Sequence, residues 1–255
     1  MIFRPSFILK IFLIFGILGI IKAAERPNIV IVFTDDQGYG DLACYGSEKN
    51  RTPRLDQLAK EGTRFTSFYS QTVCGPSRSA LLTGRQPLRS KGWGMPASEI
   101  TWAELIRKVG YQTACIGKWD VSNRKAIIER MPNAQGFDYY FGALGANDNG
   151  MVRFHENNEA AGSTKDMGGL TTLYTDKSIA WLKEKRDPEK PFALYLAHTM
   201  MHTIIDASDR FRGKSEGGLY GDVVEEFDFE TGRLLDVLDE LGLSKNTLVI
   251  YTSDN

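Results

Sequence analysis

Residues 28–36, NIVIVFTDD, set an unbroken apolar run, Ile29 to Phe33, one threonine ahead of two aspartates. A run this short and this rich in β-branched side chains suits a strand buried on both faces, as in a parallel sheet, where no polar face breaks the pattern. Three further runs repeat the type: QTACIG at 112–117, FALYLA at 192–197 and TLVIYTS at 247–253. Helical signals separate them. Pro53 opens PRLDQLAKEG, with Thr52 as cap, Leu55, Leu58 and Ala59 on one face and Gly62 as stop. Thr101 and Glu104 form a capping box for TWAELIRKVG, which Gly110 ends. Longer helices are expected over residues 173–185 and 221–241, the second leading into the 247–253 run. Alternating strands and helices predict an α/β fold with a mainly parallel central sheet between helices. The Gly- and Asn-rich stretch 142–169 reads as a long loop, and no internal repeat is present.

Ligands of such sheets bind beyond the carboxyl ends of the strands. Asp35 and Asp36 follow the first run, Lys118 and Asp120 the second, His198 and His202 the third, Asp254 and Asn255 the fourth. Any one of these is an ordinary turn residue; together they outline a site. Asp35, Asp36, Asp254 and Asn255 offer only hard oxygen donors, which points to Ca²⁺ or Mg²⁺ rather than zinc. Lys118 and Arg78 add cations, and a guanidinium suits an oxyanion. The alternatives are a solvated turn for Lys118 and a surface helix position for Arg78. In VCGPSRSALLTG, residues 73–84, Cys74 stands at the start of a helix with proline in its first turn and Gly84 at its end. Amides and helix dipole there would lower a thiol pKa, as a nucleophile requires. In an oxidising compartment, however, a bare thiolate is itself oxidised.

Export is expected because the chain opens with Arg4 and Lys10, an apolar run at 11–21, and the small Ala23 and Ala24. This is the layout of a signal peptide over residues 1–24, since the run is shorter than the roughly 20 residues of a spanning helix. The 255 residues carry a formal net charge of -1, and no basic run interleaved with aromatics, so nucleic-acid binding is not expected. Three cysteines leave at least one thiol unpaired. Cys115, within an apolar run, reads as a buried free thiol, and Cys44 carries no signal.

VCGPSRSALLTGR resembles the signature of the formylglycine-dependent sulfatase family, and NIVIVFTDDQGYGDLACYG, GYQTACIGKWD, PFALYLAHTMMHT and NTLVIYTSDN fit it in order. The similarity is to its arylsulfatase and N-acetylgalactosamine-6-sulfatase-like members. It implies an alkaline-phosphatase-like catalytic domain over residues 25–255, incomplete at its C-terminus, since the family supplies a further sulfate-binding lysine and a smaller domain beyond. It also implies that a formylglycine-generating enzyme oxidises Cys74 to Cα-formylglycine. The hydrate of that aldehyde would attack a sulfate ester, and its second hydroxyl would then expel sulfate. By the same resemblance, Asp35, Asp36, Asp254, Asn255 and the modified Cys74 hold calcium, Arg78 supports the formylglycine, and Lys118 and His202 contact sulfate and leaving oxygen. The substrate would be a sulfated carbohydrate or an aryl sulfate.

Two departures are visible. Asp120 stands where the family carries a histidine after Gly117-Lys118-Trp119, which puts the base in question and leaves His198 as a substitute. His202 is followed by Thr203-Ile204 rather than by a residue and then proline. A phosphate or phosphonate monoester hydrolase on the same framework, and a non-catalytic anion- or glycan-binding protein, are the alternatives.

Overall fold

A computed structural model describes residues 26–255, so the expected signal peptide at 1–24 lies outside the described residues. Seven strands form one sheet: β1 Asn28–Thr34, β2 Gln112–Lys118, β3 Tyr139–Ala143, β4 Val152–Glu156, β5 Glu159–Thr164, β6 Phe192–Ala197 and β7 Thr247–Ser253. Their order is β5-β4-β3-β2-β6-β1-β7. β3, β2, β6, β1 and β7 run parallel, while β4 and β5 form an antiparallel hairpin at one edge. All four apolar runs are strands, as expected.

Continuous apolar runs become alternating faces once they pleat. Val30, Val32, Ala114, Ile116, Leu194 and Leu196 point into one core, which α5 (Leu170–Ala180) and α6 (Gly218–Glu240) close with Leu170, Tyr174, Val224 and Phe227. Ile31, Phe33, Cys115, Tyr195 and Ala197 point into the other, closed by Leu82 of α2 (Cys74–Thr83) and Ala103 of α4 (Trp102–Lys108). Helices α1 (Pro53–Glu61) and α3 (Pro87–Ser90) complete the set. The Thr101 and Glu104 capping box is present, and Gly110 leaves the helix at φ +92°.

Three expectations need correction. Thr52 does not cap α1 through its side chain; its hydroxyl donates to Asp56 Oδ1 at 3.1 Å and accepts from the Ala43 amide. The free amides of Arg54 and Leu55 donate instead to the two oxygens of Asp228, on α6, at 3.2 and 2.8 Å. The stretch 142–169 is not a loop, because it holds β4, β5 and the start of the approach to α5. Val152 and Phe154 are buried while Arg153 is exposed, a strand alternation only two apolar residues long, and Asn157, at φ +53°, turns the hairpin. The helix expected at 173–185 begins at Leu170 and ends as a single π-helical turn over Trp181–Lys185.

Candidate active site

At the carboxyl end of β1, the Asp35 amide donates to the Met200 carbonyl, fixing the turn after β6, and Asp36 adopts φ +59°. The Asp254 amide donates to the Thr34 carbonyl, and Asp254 Oδ1 accepts from the Asp36 amide at 3.1 Å. Pairing of β1 with β7 therefore brings Asp35 beside Asp254. Helix α2 begins at Cys74, whose sulfur lies with a carboxylate oxygen from each of these two aspartates in a group spanning no more than 4.8 Å. Asn255 Nδ2 donates to Asp36 Oδ1 at 2.8 Å, at the exposed rim of the same cluster.

Neither cation is a surface residue: Arg78 and Lys118 are both 0% exposed. Lys118 Nζ donates to Asp35 Oδ2 at 2.6 Å and lies 3.6 Å from Asp120 Oδ2. Arg78 donates through Nη1 to the Lys118 carbonyl at 3.1 Å and through Nη2 to Asp254 Oδ2 at 2.7 Å. Burial pushes the Asp35 carboxyl up to about 8, against the opposing pull of Arg78 and Lys118. For Lys118 desolvation and Arg78 act downward, but Asp35 and Asp120 outweigh them and hold its pKa above the ordinary lysine value. Desolvation is the largest single effect on Asp254 and acts upward, but Arg78, the Asp35 contact, Lys118 and the Asp36 amide together outweigh it, so its carboxyl is depressed. The Cys74 thiol departs from expectation. Its pKa is raised, first by desolvation, with Lys118 pulling down and Asp120, Asp35 and Asp254 pushing up. A helix N-terminus does not make a thiolate where the sulfur is desolvated and acidic side chains stand beside it.

His202 joins the cluster. Its Nδ1 lies 2.6 Å from the Thr203 carbonyl, which can only accept, so Nδ1 carries the proton and Nε2 faces Asp148 Oδ1 at 3.5 Å and Asp36 Oδ2 at 3.9 Å. His198 is buried among aromatic rings. It is 1% exposed, packs edge-on against Tyr174 and Phe227, and burial drives its pKa down to about 3. The sequence reading also missed three residues on the Asp120 side. Trp93 Nε1 donates to Asp120 Oδ2 at 3.0 Å, Arg124 Nε donates to Asp120 Oδ1 at 3.0 Å, and Arg124 Nη1 donates to Asp148 Oδ2 at 2.7 Å. Trp93 and Asp148 sit in irregular segments that no spacing rule flags; Arg124 had one signal, its place four residues after Asp120.

The Sulfatase family profile matches residues 27–255. The chain belongs to the sulfatase family. It is 37% identical to N-acetylgalactosamine-6-sulfatase of Mus musculus, over 96% of this chain and 54% of that protein. Arylsulfatase A of Homo sapiens is 34% identical over 92% of this chain and 53% of its own length. Among solved structures, a Bacteroides thetaiotaomicron sulfatase studied in the metabolism of multiple glycosaminoglycans superposes with a TM-score of 0.81 at 28% identity, covering 91% of this chain and 63% of its own. The chain thus spans about half the length of the curated sulfatases it matches. Among the described residues no helix is long and apolar enough to cross a membrane.

Proposed function

We propose that this sulfatase hydrolyses sulfate esters of carbohydrates through a formylglycine made from Cys74 by a formylglycine-generating enzyme. The observation that carries the reading is the convergence of Asp35, Asp254 and Cys74 on one point, backed by a buried lysine and arginine. Family membership and likeness to N-acetylgalactosamine-6-sulfatase support the choice of sulfate and of a sugar.

The residues suit a hard divalent cation. Asp35, Asp36 and Asp254 are carboxylates, Asn255 adds an amide oxygen, and the buried Asp35 Oδ1 has no hydrogen-bond partner among the described residues. Once in place, a Ca²⁺ ion held by these four would supply positive charge beside position 74, and the formylglycine hydrate would supply the attacking hydroxyl. The Cys74 sulfur stands where those hydroxyls would be. Lys118, fixed by Asp35 and Asp120, presents an ammonium to a tetrahedral anion. Arg78 holds the Lys118 carbonyl and Asp254 in register, which orients the start of α2 against the strand ends. With its Nδ1–H fixed on Thr203, His202 points Nε2 into the site, and in the doubly protonated imidazolium that nitrogen would deliver its proton to the departing sugar oxygen, leaving the neutral ring. Burial of Cys74, at 7% exposure, keeps bulk water from the reacting centre. The precursor carries a residue layout that suits export, and an exported chain would meet its modifying enzyme on the way.

Mass spectrometry of the tryptic peptide 65–78, from protein exported alongside a formylglycine-generating enzyme, tests the modification. An aldehyde at position 74 together with turnover of N-acetylgalactosamine 6-sulfate is the expected result, and Cys74→Ala should abolish turnover. A thiol that stays fully alkylatable overturns the formylglycine route, and faster turnover of the matching phosphate ester overturns the choice of sulfate.

A further inference from the structure

Asp120 occupies the position that puts the catalytic base in question, yet its carboxylate is fully engaged. Trp93 Nε1 and Lys118 Nζ face Oδ2, and Arg124 Nε faces Oδ1. Asp120 is 0% exposed, whereas Trp93 is 38% exposed, so the bond ties the indole nitrogen to a buried carboxylate while part of the residue stays open to solvent. Gly75, the residue after Cys74, makes room for the ring. A Cβ built at Gly75 would lie 2.2 Å from Trp93 Cδ1 and 2.4 Å from Nε1, a clash that any side chain would create. The supporting segments lock together: the Asn123 amide donates to the Trp93 carbonyl at 2.7 Å, and Gly94 bridges Ser122. Lys91, Asp120, Asn123 and Arg124 all adopt left-handed φ, between +53° and +63°. Four such non-glycine residues in two short segments persist only where the surroundings over-determine them.

From this geometry we infer that Trp93 is a specificity-determining residue that packs against the sugar ring of the substrate, and that Asp120 is the positioning residue that holds it there. This rests on the reading of the site as one for sugar sulfates. An indole anchored by its nitrogen offers a rigid apolar face beside the anion site, which is what a pyranose ring with its sulfate in that site would meet. It also gives the aspartate a role that needs no proton transfer.

The test compares affinities for N-acetylgalactosamine 6-sulfate and for inorganic sulfate, which has no ring. The ratio of the two should fall about tenfold in Trp93→Ala, the scale of one aromatic contact, and stay low in Trp93→Phe, whose ring has no N–H for Asp120 to hold. Asp120→Ala should lower the ratio in the same way, and Asp120→Asn, which keeps an acceptor for the indole, should preserve it. As a second measurement, the sugar sulfate but not inorganic sulfate should shift tryptophan emission of the wild type, a response absent from Trp93→Phe. An unchanged ratio in Trp93→Ala or Asp120→Ala, or an emission shift retained in Trp93→Phe, overturns this inference alone. A wild type that binds neither probe overturns the anion site itself and this inference with it.

Discussion

Arg78 carries its charge where no solvent reaches it, with Asp254 2.7 Å away. Removing one partner of such a pair leaves the other buried and uncompensated, so Arg78→Met should cost about 3–5 kcal/mol in urea unfolding. Asp35 gives a pH dependence of known sign. Its folded carboxyl holds a proton up to about 8, well above the ordinary 3.8, so the folded state binds more protons than the unfolded one. The stability this contributes is complete below the unfolded value and is lost as pH rises through about 8. A calcium ion has to displace that proton, so its affinity by calorimetry should rise about tenfold per pH unit on approaching that value from below and level off above it. Asp36→Ala should weaken it, and equal affinity in the two proteins would remove Asp36 from the cation site. Asp35, Asp36 and Asp254 were legible in the sequence because a parallel sheet gathers its strand ends; the upward shift at Cys74 was not, because burial of its sulfur, with carboxylates beside it, is a tertiary fact.

Helix α1 is capped from a distance. Its first amides rest on Asp228, so Asp228→Ala should lower stability by about 1–2 kcal/mol, the range of a lost N-cap. Desolvation lifts the Asp228 carboxyl to about 6, the Leu55 and Arg54 amides opposing it. Its folded value lies above the unfolded one, so the stability it contributes falls as pH rises from about 4 to about 6. Thermal melts of Asp228→Asn across that window should lack this component. The strands meet a different constraint. A Cβ at Gly142 would lie 1.8 Å from the Gly117 carbonyl oxygen, and one at Gly117 equally close to the Ala197 oxygen. Gly142→Ala should therefore destabilise by about 1–3 kcal/mol in denaturant titration, as overpacking does. Sequence located the four long apolar strands and the Thr101 capping box because those signals are local. The Asp228 cap was hidden by a sequence separation of 174 residues from Arg54. β5 was hidden for the opposite reason: Glu159–Thr164 is almost wholly exposed, with no apolar period to read.

Among the described residues, 26–255, the two edges of the sheet differ. The β4–β5 hairpin closes one with polar, exposed residues, while β7 ends the other with Leu248 52% and Ile250 39% exposed and no charge among its seven residues. An edge of this kind pairs with whatever strand it meets. Ile250→Lys should therefore reduce light scattering on concentration of the 255-residue chain while leaving the melting temperature nearly unchanged. The α/β class and its parallel core followed from the sequence, since strand and helix signals alternate, but which run lies at the edge did not, because the half-exposed run TLVIYTS and the fully buried run FALYLA look alike to hydropathy. β7 is at once this edge and the carrier of Asp254, whose Oδ1 accepts the Asp36 amide. Amide hydrogen exchange along β7 thus becomes a gauge of the site: fraying of one outer strand dismantles the cluster while β2 and β6 stay protected, and calcium should slow exchange in β7 well before it affects the sheet centre.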